Sequence, residues 1–292
     1  MEQLVFNTTD LIQKEEASYD RSLENGAIID TCCNEPQKAF VYSYLGYLLL
    51  VILTWNRGIV KPMRLMAVFL HEISHAIACW LTCGTVKGIE VDHHEGGATR
   101  FIGGLQCCII PAGYLGEAFW GMIFVIMSGG RKTATFAAVG FITSLLVALC
   151  YSPNRFMVIL NVTYAMITLV FTLIEWFVFT PILMYVILMY GVFVGIYSIA
   201  DIYNDLIYRT IVGSDAYALY EEAPCCLPKC VGVQWLIIAV IFNLVGVWLA
   251  LVLMSDECAD LGWFECAFSD SLISFLPDFV DHIEMNFDHF GN

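Results

Sequence analysis

The sequence predicts an all-α polytopic membrane protein of about seven transmembrane helices, with a small β element after the second. Three observations carry that expectation. Of 292 residues, 59% are hydrophobic and only 14% charged, against roughly 25% charged in an ordinary soluble domain. Mean hydropathy is +0.73. Charge is also segregated: Lys38 to Arg57, Thr133 to Asn154, Phe156 to Ile174, Trp176 to Ala200 and Val231 to Ser255 enclose long uncharged runs. Each is near or above the roughly 20 residues a helix needs to cross a bilayer core. One or two such runs could be buried core helices; this many could not.

Residues 1–38 read as a polar tail, with a glycosylation sequon at Asn7-Thr8-Thr9. They lack the apolar h-region of a cleavable signal peptide, so the first spanning helix is expected to target the chain itself. That helix falls near 39–55. A short basic loop with Arg57, Lys61 and Arg64 follows, and Pro62 suits the start of a second helix near 63–83. Residues 84–104 turn polar and glycine-rich, and Val86 to Asp92 alternate with the period of a strand. A β-hairpin or edge strand is expected there.

The third helix falls near 105–128 and the fourth near 133–151. Segment 156–200 is too long for one crossing, since as a single helix it would reach roughly 67 Å. It should break near Glu175 or Pro181. A polar loop from about 201 to 230 leads to a last helix over 232–254. The transmembrane part is thus 39–254. Residues 255–292 lack Lys and Arg and place Leu276, Phe279, Val280, Ile283, Phe287 and Phe290 at helical spacing, which suggests an acidic amphipathic helix packed on the protein. Basic residues divide almost evenly between alternate loops, so orientation stays open.

The net charge of −15 argues against nucleic acid, which demands clusters of Lys and Arg. The expected partners are the lipid bilayer and other membrane proteins. Several of the twelve cysteines lie in or near apolar segments, where a thiol behaves as a small hydrophobe. The pairs Cys32-Cys33 and Cys225-Cys226 lie close to helix ends and could be acylated or disulfide-bonded.

Chemistry concentrates in His71-Glu72-Ile73-Ser74-His75. Histidines four apart project from one helix face, where two neutral imidazoles can grip one zinc ion. Glu72 beside them can take a proton from the attacking water. Ionisable residues inside a membrane helix cost a few kcal/mol each, on the order of 3, and mark function. The competing reading is a polar face lining a proton or ion path.

Phe69-Leu70-His71-Glu72-Ile73-Ser74-His75-Ala76 resembles the active-site helix of the site-2 proteases, zinc peptidases that cut peptide bonds within the membrane. Gly88 to Asp92 with Glu95 to Arg100, then Pro111 to Gly116 and Trp120-Gly121, are similar to a compact branch of that superfamily. So are Asp201 to Leu206 and Gly213-Ser214-Asp215-Ala216. The resemblance implies that His71 and His75 bind zinc, that Glu72 activates water, and that the glycine-rich strand lies near substrate, with Gly96 and Gly97 admitting a close backbone. It also implies a carboxylate ligand from a later helix. The usual Leu-Asp-Gly and Asn-Pro-Asp-Gly settings for that ligand do not occur in this sequence. Asp201 ranks first for the role, Asp205 second and Glu175 third, with Glu117 a further buried carboxylate.

The expected function is therefore an intramembrane zinc metalloendopeptidase acting on membrane-embedded proteins. Two alternatives stand beside it: a catalytically inactive relative that binds membrane proteins for folding or sorting, and a proton or metal transporter.

Overall fold

A computed structural model describes residues 34–254, apart from Asn56, Phe179 and Thr210. The sequon, Cys32-Cys33, most of the polar tail and the acidic segment 255–292 lie outside the described residues. Contacts group Ser43–Leu253 into one compact unit, which holds every side-chain contact described below; the first helix begins before it.

In chain order the elements are α1 (Glu35–Thr54), a 3-10 turn, α2 (Lys61–Leu81), β1 (Thr85–Val91), β2 (Gly97–Ile102), α3 (Gln106–Ile109), α4 (Ala112–Met127), α5 (Arg131–Leu149), α6 (Arg155–Phe177) and α7 (Ile182–Ile202). After them come a π-helical turn (Tyr203–Tyr208), α8 (Asp215–Glu222) and α9 (Pro228–Leu253). Six of these segments are long and apolar enough to cross a membrane: Glu35–Thr54, Gln106–Met127, Arg131–Leu149, Arg155–Phe177, Ile182–Tyr208 and Pro228–Leu253. The expected seventh, α2, has 21 residues, a length of roughly 32 Å. It stands apart in composition because Lys61, Arg64, His71, Glu72 and His75 all lie on it.

The break in the long apolar segment falls between Phe177 and Ile182, where Pro181 lacks the N–H needed to continue a helix. Glu175 organises that corner. Its carboxylate accepts from the backbone N–H of Leu183 at 3.0 Å and meets Arg131 Nε at 2.8 Å. The Arg131 guanidinium also lies over the Trp176 ring, 4.7 Å from its centroid. A fully buried carboxylate is tolerated only when paired and hydrogen-bonded, and here it joins the ends of α5, α6 and α7.

The strands form one antiparallel hairpin, registered Thr85 to Ile102 and Val91 to Gly97, with an irregularity between Val86 and Gly88. The extra residue, Lys87, shifts the simple alternation expected of this strand, so that Val86, Ile89 and Val91 are all buried. The hairpin packs along α2 and is tied to the α5–α6 connection, where Ile89 N–H donates to the Tyr151 carbonyl at 3.0 Å.

The main core centres on aromatic edge-to-face contacts. Phe141 meets Phe69 at 6.4 Å, and Phe124 and Tyr190 at 5.7 Å each, within the range such pairs prefer. Helices α4 and α7 approach at glycines: a Cβ on Gly121 would stand 2.7 Å from the Gly195 nitrogen. A smaller cluster of Ile110, Tyr114, Ile202, Leu206, Ala216, Val231 and Trp235 joins the start of α4 to the end of α7, to α8 and to α9.

Because Glu175 serves this corner, Glu175→Ala should destabilise the protein by about 3 kcal/mol, the lower end for breaking a buried ion pair. Thermal unfolding in detergent measures the loss.

Candidate metal centre

Helix α2 is buried along most of its length, and His71, Glu72 and His75 project from its middle. The first residues of α4 cross beside it. His75 Nδ1 lies 2.7 Å from the Ile109 carbonyl oxygen. A carbonyl only accepts, so Nδ1 carries the proton and Nε2 presents its lone pair. That Nε2 lies 3.1 Å from Nε2 of His71. The Tyr114 ring meets His71 edge-on at 4.6 Å and fixes its plane.

The structure brings a third group to this point. Asp215 Oδ2 lies 3.1 Å from His71 Nε2 and 3.2 Å from His75 Nε2. Asp215 opens α8 just after Gly213, whose φ of 96° turns the chain back. Burial alone would raise the Asp215 carboxyl, but the imidazoles of His75 and His71 outweigh it and hold it well below the usual carboxylate range.

Asp201, ranked first as the third ligand, stands in a second cluster. Its carboxylate, that of Glu117 and a nitrogen of His71 lie within 4.8 Å of one another. Glu117 is fully buried and faces His71 Nδ1 at 3.8 Å. Asp205 lies on the π-helical turn, 4.0 Å from Arg209, and Glu175 is held by Arg131 and Leu183. Asp201 and Asp205 both line a polar cavity of about 360 Å³, together with Arg64, Glu95 and Tyr197. The sequence offered one signal for Asp215, its place in the family-like segment Gly213-Ser214-Asp215-Ala216.

Strand β2 supplies the rest. A Cβ on Gly97 would stand 2.4 Å from Glu72 Oε1, whereas nothing lies within 4 Å of one on Gly96. Of the two glycines singled out, Gly97 is therefore the one whose bare backbone lets β2 lie against Glu72. Thr99, which lies in the segment Glu95 to Arg100 but has no role predicted from the sequence, places its hydroxyl 2.6 Å from Glu72 Oε2 and 2.9 Å from the Glu72 carbonyl oxygen. The turn before β2 is clamped by Glu95 and Arg64 at 3.3 Å.

Gly113 closes the centre from α4. A Cβ there would fall 2.3 Å from His71 Nε2 and 2.4 Å from His75 Nε2. The missing side chain thus leaves room at the point on which both nitrogens converge.

A family model described as Peptidase M50B-like matches residues 44–248. The chain belongs to this family. The match runs from α1 to α9 and takes in every residue of the centre, and with it the chain is a site-2 protease family member and a multi-pass integral membrane protein. No curated protein and no solved structure matches the chain.

Gly113→Ala should therefore abolish tight metal uptake without unfolding α4, since alanine favours a helix. Gly96→Ala should leave uptake unchanged. Metal content by elemental analysis of the two purified variants checks both outcomes.

Proposed function

We propose that this M50B-like protein is an intramembrane zinc metallopeptidase that hydrolyses peptide bonds of membrane-embedded proteins. In this reading His71, His75 and Asp215 hold the metal and Glu72 is the general base. The observation that carries it is the triangle of two imidazole nitrogens and one carboxylate oxygen, with sides of 3.1, 3.1 and 3.2 Å.

The donor set suits zinc. Tetrahedral zinc with ligand bonds of about 2.0–2.1 Å holds neighbouring ligand atoms roughly 3.3 Å apart, and catalytic sites keep three protein ligands and one open position. The space left by Gly113 supports such an open position. Bound there, zinc would acidify a water and polarise the scissile carbonyl.

The remaining roles fall to the chain itself. Glu72 accepts the proton of the attacking water and returns it to the leaving amine. The Thr99 hydroxyl holds the Glu72 carboxylate in place. His75 keeps its Nε2 free by donating from Nδ1 to Ile109, and Glu117 faces the corresponding nitrogen of His71. A helical substrate shields its peptide bonds, so the scissile stretch must be extended. The β2 edge beside Glu72 offers backbone groups on which an extended strand could pair. Asp201 and Asp205 line a polar cavity, and Asp201 also stands within 4.8 Å of His71.

Full-length protein with a purified single-span transmembrane peptide provides the test. Wild type should hold one zinc per chain and cleave. Glu72→Gln should keep the zinc and lose cleavage by about 10² to 10⁴, the usual contribution of a general base. Asp215→Ala should lose the zinc. Asp201→Ala should weaken its binding by no more than about 10- to 100-fold, as groups behind the ligands do. If Asp201→Ala empties the site while Asp215→Ala leaves it full, the ligand assignment is wrong. Wild type that binds zinc but cleaves nothing favours the inactive, protein-binding alternative.

A further inference from the structure

The ends of the spans sort onto two boundaries. Helices α4 to α7 follow one another through short connections, and α4 runs against α7: Gly121 meets Gly195, and Val125 meets Gly191. Helix α9 runs alongside α4 in the same direction. Tyr114 faces Trp235 at 5.8 Å, Phe119 faces Phe242 at 5.9 Å, and a Cβ on Gly246 would meet Met122. The starts of α4, α6 and α9 and the ends of α5 and α7 therefore share one boundary, the one at which Gly113 meets the histidines.

Basic residues gather there. Arg155 and Lys229 lie in the first turns of α6 and α9, Arg209 follows the π-helical turn, and Arg64 lines the polar cavity with Asp201. Lys87 and Arg100 lie on or beside the hairpin strands that the Ile89 hydrogen bond ties to Tyr151, just past α5. The connections at the opposite boundary, between α4 and α5 and between α6 and α7, bring Arg131 and Lys132. Loops on the cytoplasmic side of a membrane are the ones enriched in Lys and Arg.

Exposed thiols gather at the same boundary. Cys107 and Cys108 follow Gln106 at the head of the span Gln106–Met127, and Cys225 and Cys230 flank the start of the span Pro228–Leu253. All four are exposed. Leu105 and Leu227 beside them are 58% and 55% exposed, so the surface around the thiols is apolar and suits contact with a bilayer. Cys226 packs instead against the cluster that seats α8, and Cys79 is buried.

Two competing fates fit these thiols poorly. Neighbouring residues hold their Cα atoms about 3.8 Å apart, less than the roughly 4.4 Å a disulfide requires, so Cys107 and Cys108 do not pair with each other. Among the described residues, the groups able to hold a metal ion contain no cysteine.

We propose that this boundary faces the cytosol and that Cys107, Cys108, Cys225 and Cys230 are S-acylated there from a long-chain acyl thioester of coenzyme A. The cysteine sulfur attacks the thioester carbonyl, and a C–S bond to the protein forms as the C–S bond to coenzyme A breaks. Coenzyme A leaves as the thiol, with the proton that the cysteine gives up, so no oxidant or reductant is needed. At the head of a span each sulfur stands where an attached chain can enter the hydrocarbon. The modified segments adjoin Ile109 and α8, which bring the carbonyl and Asp215 to the histidines, so acylation anchors both at the bilayer surface. The modification stands whether or not the chain cleaves peptides.

The test uses full-length protein expressed in eukaryotic cells, in sealed microsomes whose cytosolic side faces outward. Free thiols are blocked, thioesters are cleaved with hydroxylamine, and the released thiols are labelled with a membrane-impermeant maleimide and mapped by peptide mass spectrometry. Label should appear on the peptides holding Cys107, Cys108, Cys225 and Cys230, should vanish when hydroxylamine is left out, and should be absent from Cys79. Replacing the four together by Ser should abolish the label at these positions, with thermal unfolding confirming that the variant is folded. The mapping of wild type decides the matter by itself if that variant does not fold. Thiols at all four positions that carry no hydroxylamine-labile group overturn the proposal. So does label that needs a reductant in place of hydroxylamine, which means a disulfide, and so does label that appears only after the membrane is permeabilised.

Discussion

His71, Glu72 and His75 sit on a helix buried among apolar neighbours, and each needs a partner there. An unpaired polar group in such surroundings costs several kcal/mol, on the order of 2–7. The architecture around α2 answers that demand group by group. Ile109, at the end of α3, takes the outer proton of His75. Asp215, on α8, meets the inner nitrogens of both histidines. Thr99, on β2, meets Glu72. Three elements far apart in sequence are thereby fixed to the middle of one helix, and the convergence that satisfies the side chains also creates the centre.

Close approach is the second constraint. Gly97 and Gly113 stand where any side chain would collide with Glu72 or with the histidine nitrogens. Their neighbours need no such freedom, as Gly96 illustrates. Glycine does two jobs in this protein: between α4 and α7 it lets backbones touch, and at the centre it keeps space clear. The aromatic core on Phe141 holds α4, which carries Gly113, against α7, so the room that Gly113 leaves at the centre is maintained by packing some distance from it.

What the sequence disclosed follows from what is local. Apolar runs, their lengths and Pro181 foretold the helices and the break near Phe177. Alternation and glycines foretold the hairpin, and the four-residue spacing put both histidines on one face. The pairing of distant segments was not legible. Asp201 and Asp205 drew attention because they end an apolar helix, a local signal, and they lie in the polar cavity next to the centre. Asp215 reaches the imidazoles only because Gly213 reverses the chain and the cluster of Tyr114, Ala216 and Trp235 seats α8. Thr99 looked like one more residue of a strand, since its contact to Glu72 depends on the register set by the irregularity at Lys87. The count of spans differed for a related reason. The helix that carries the chemistry is, by that chemistry, less apolar than those around it.

Zinc-edge X-ray absorption of the purified full-length protein tests the central claim most directly. Two imidazole nitrogens and carboxylate or water oxygens are expected at about 2.0–2.1 Å, with no sulfur in the coordination shell. Sulfur scattering at about 2.3 Å would place the metal on the cysteines instead, and would contradict the assignment of His71, His75 and Asp215.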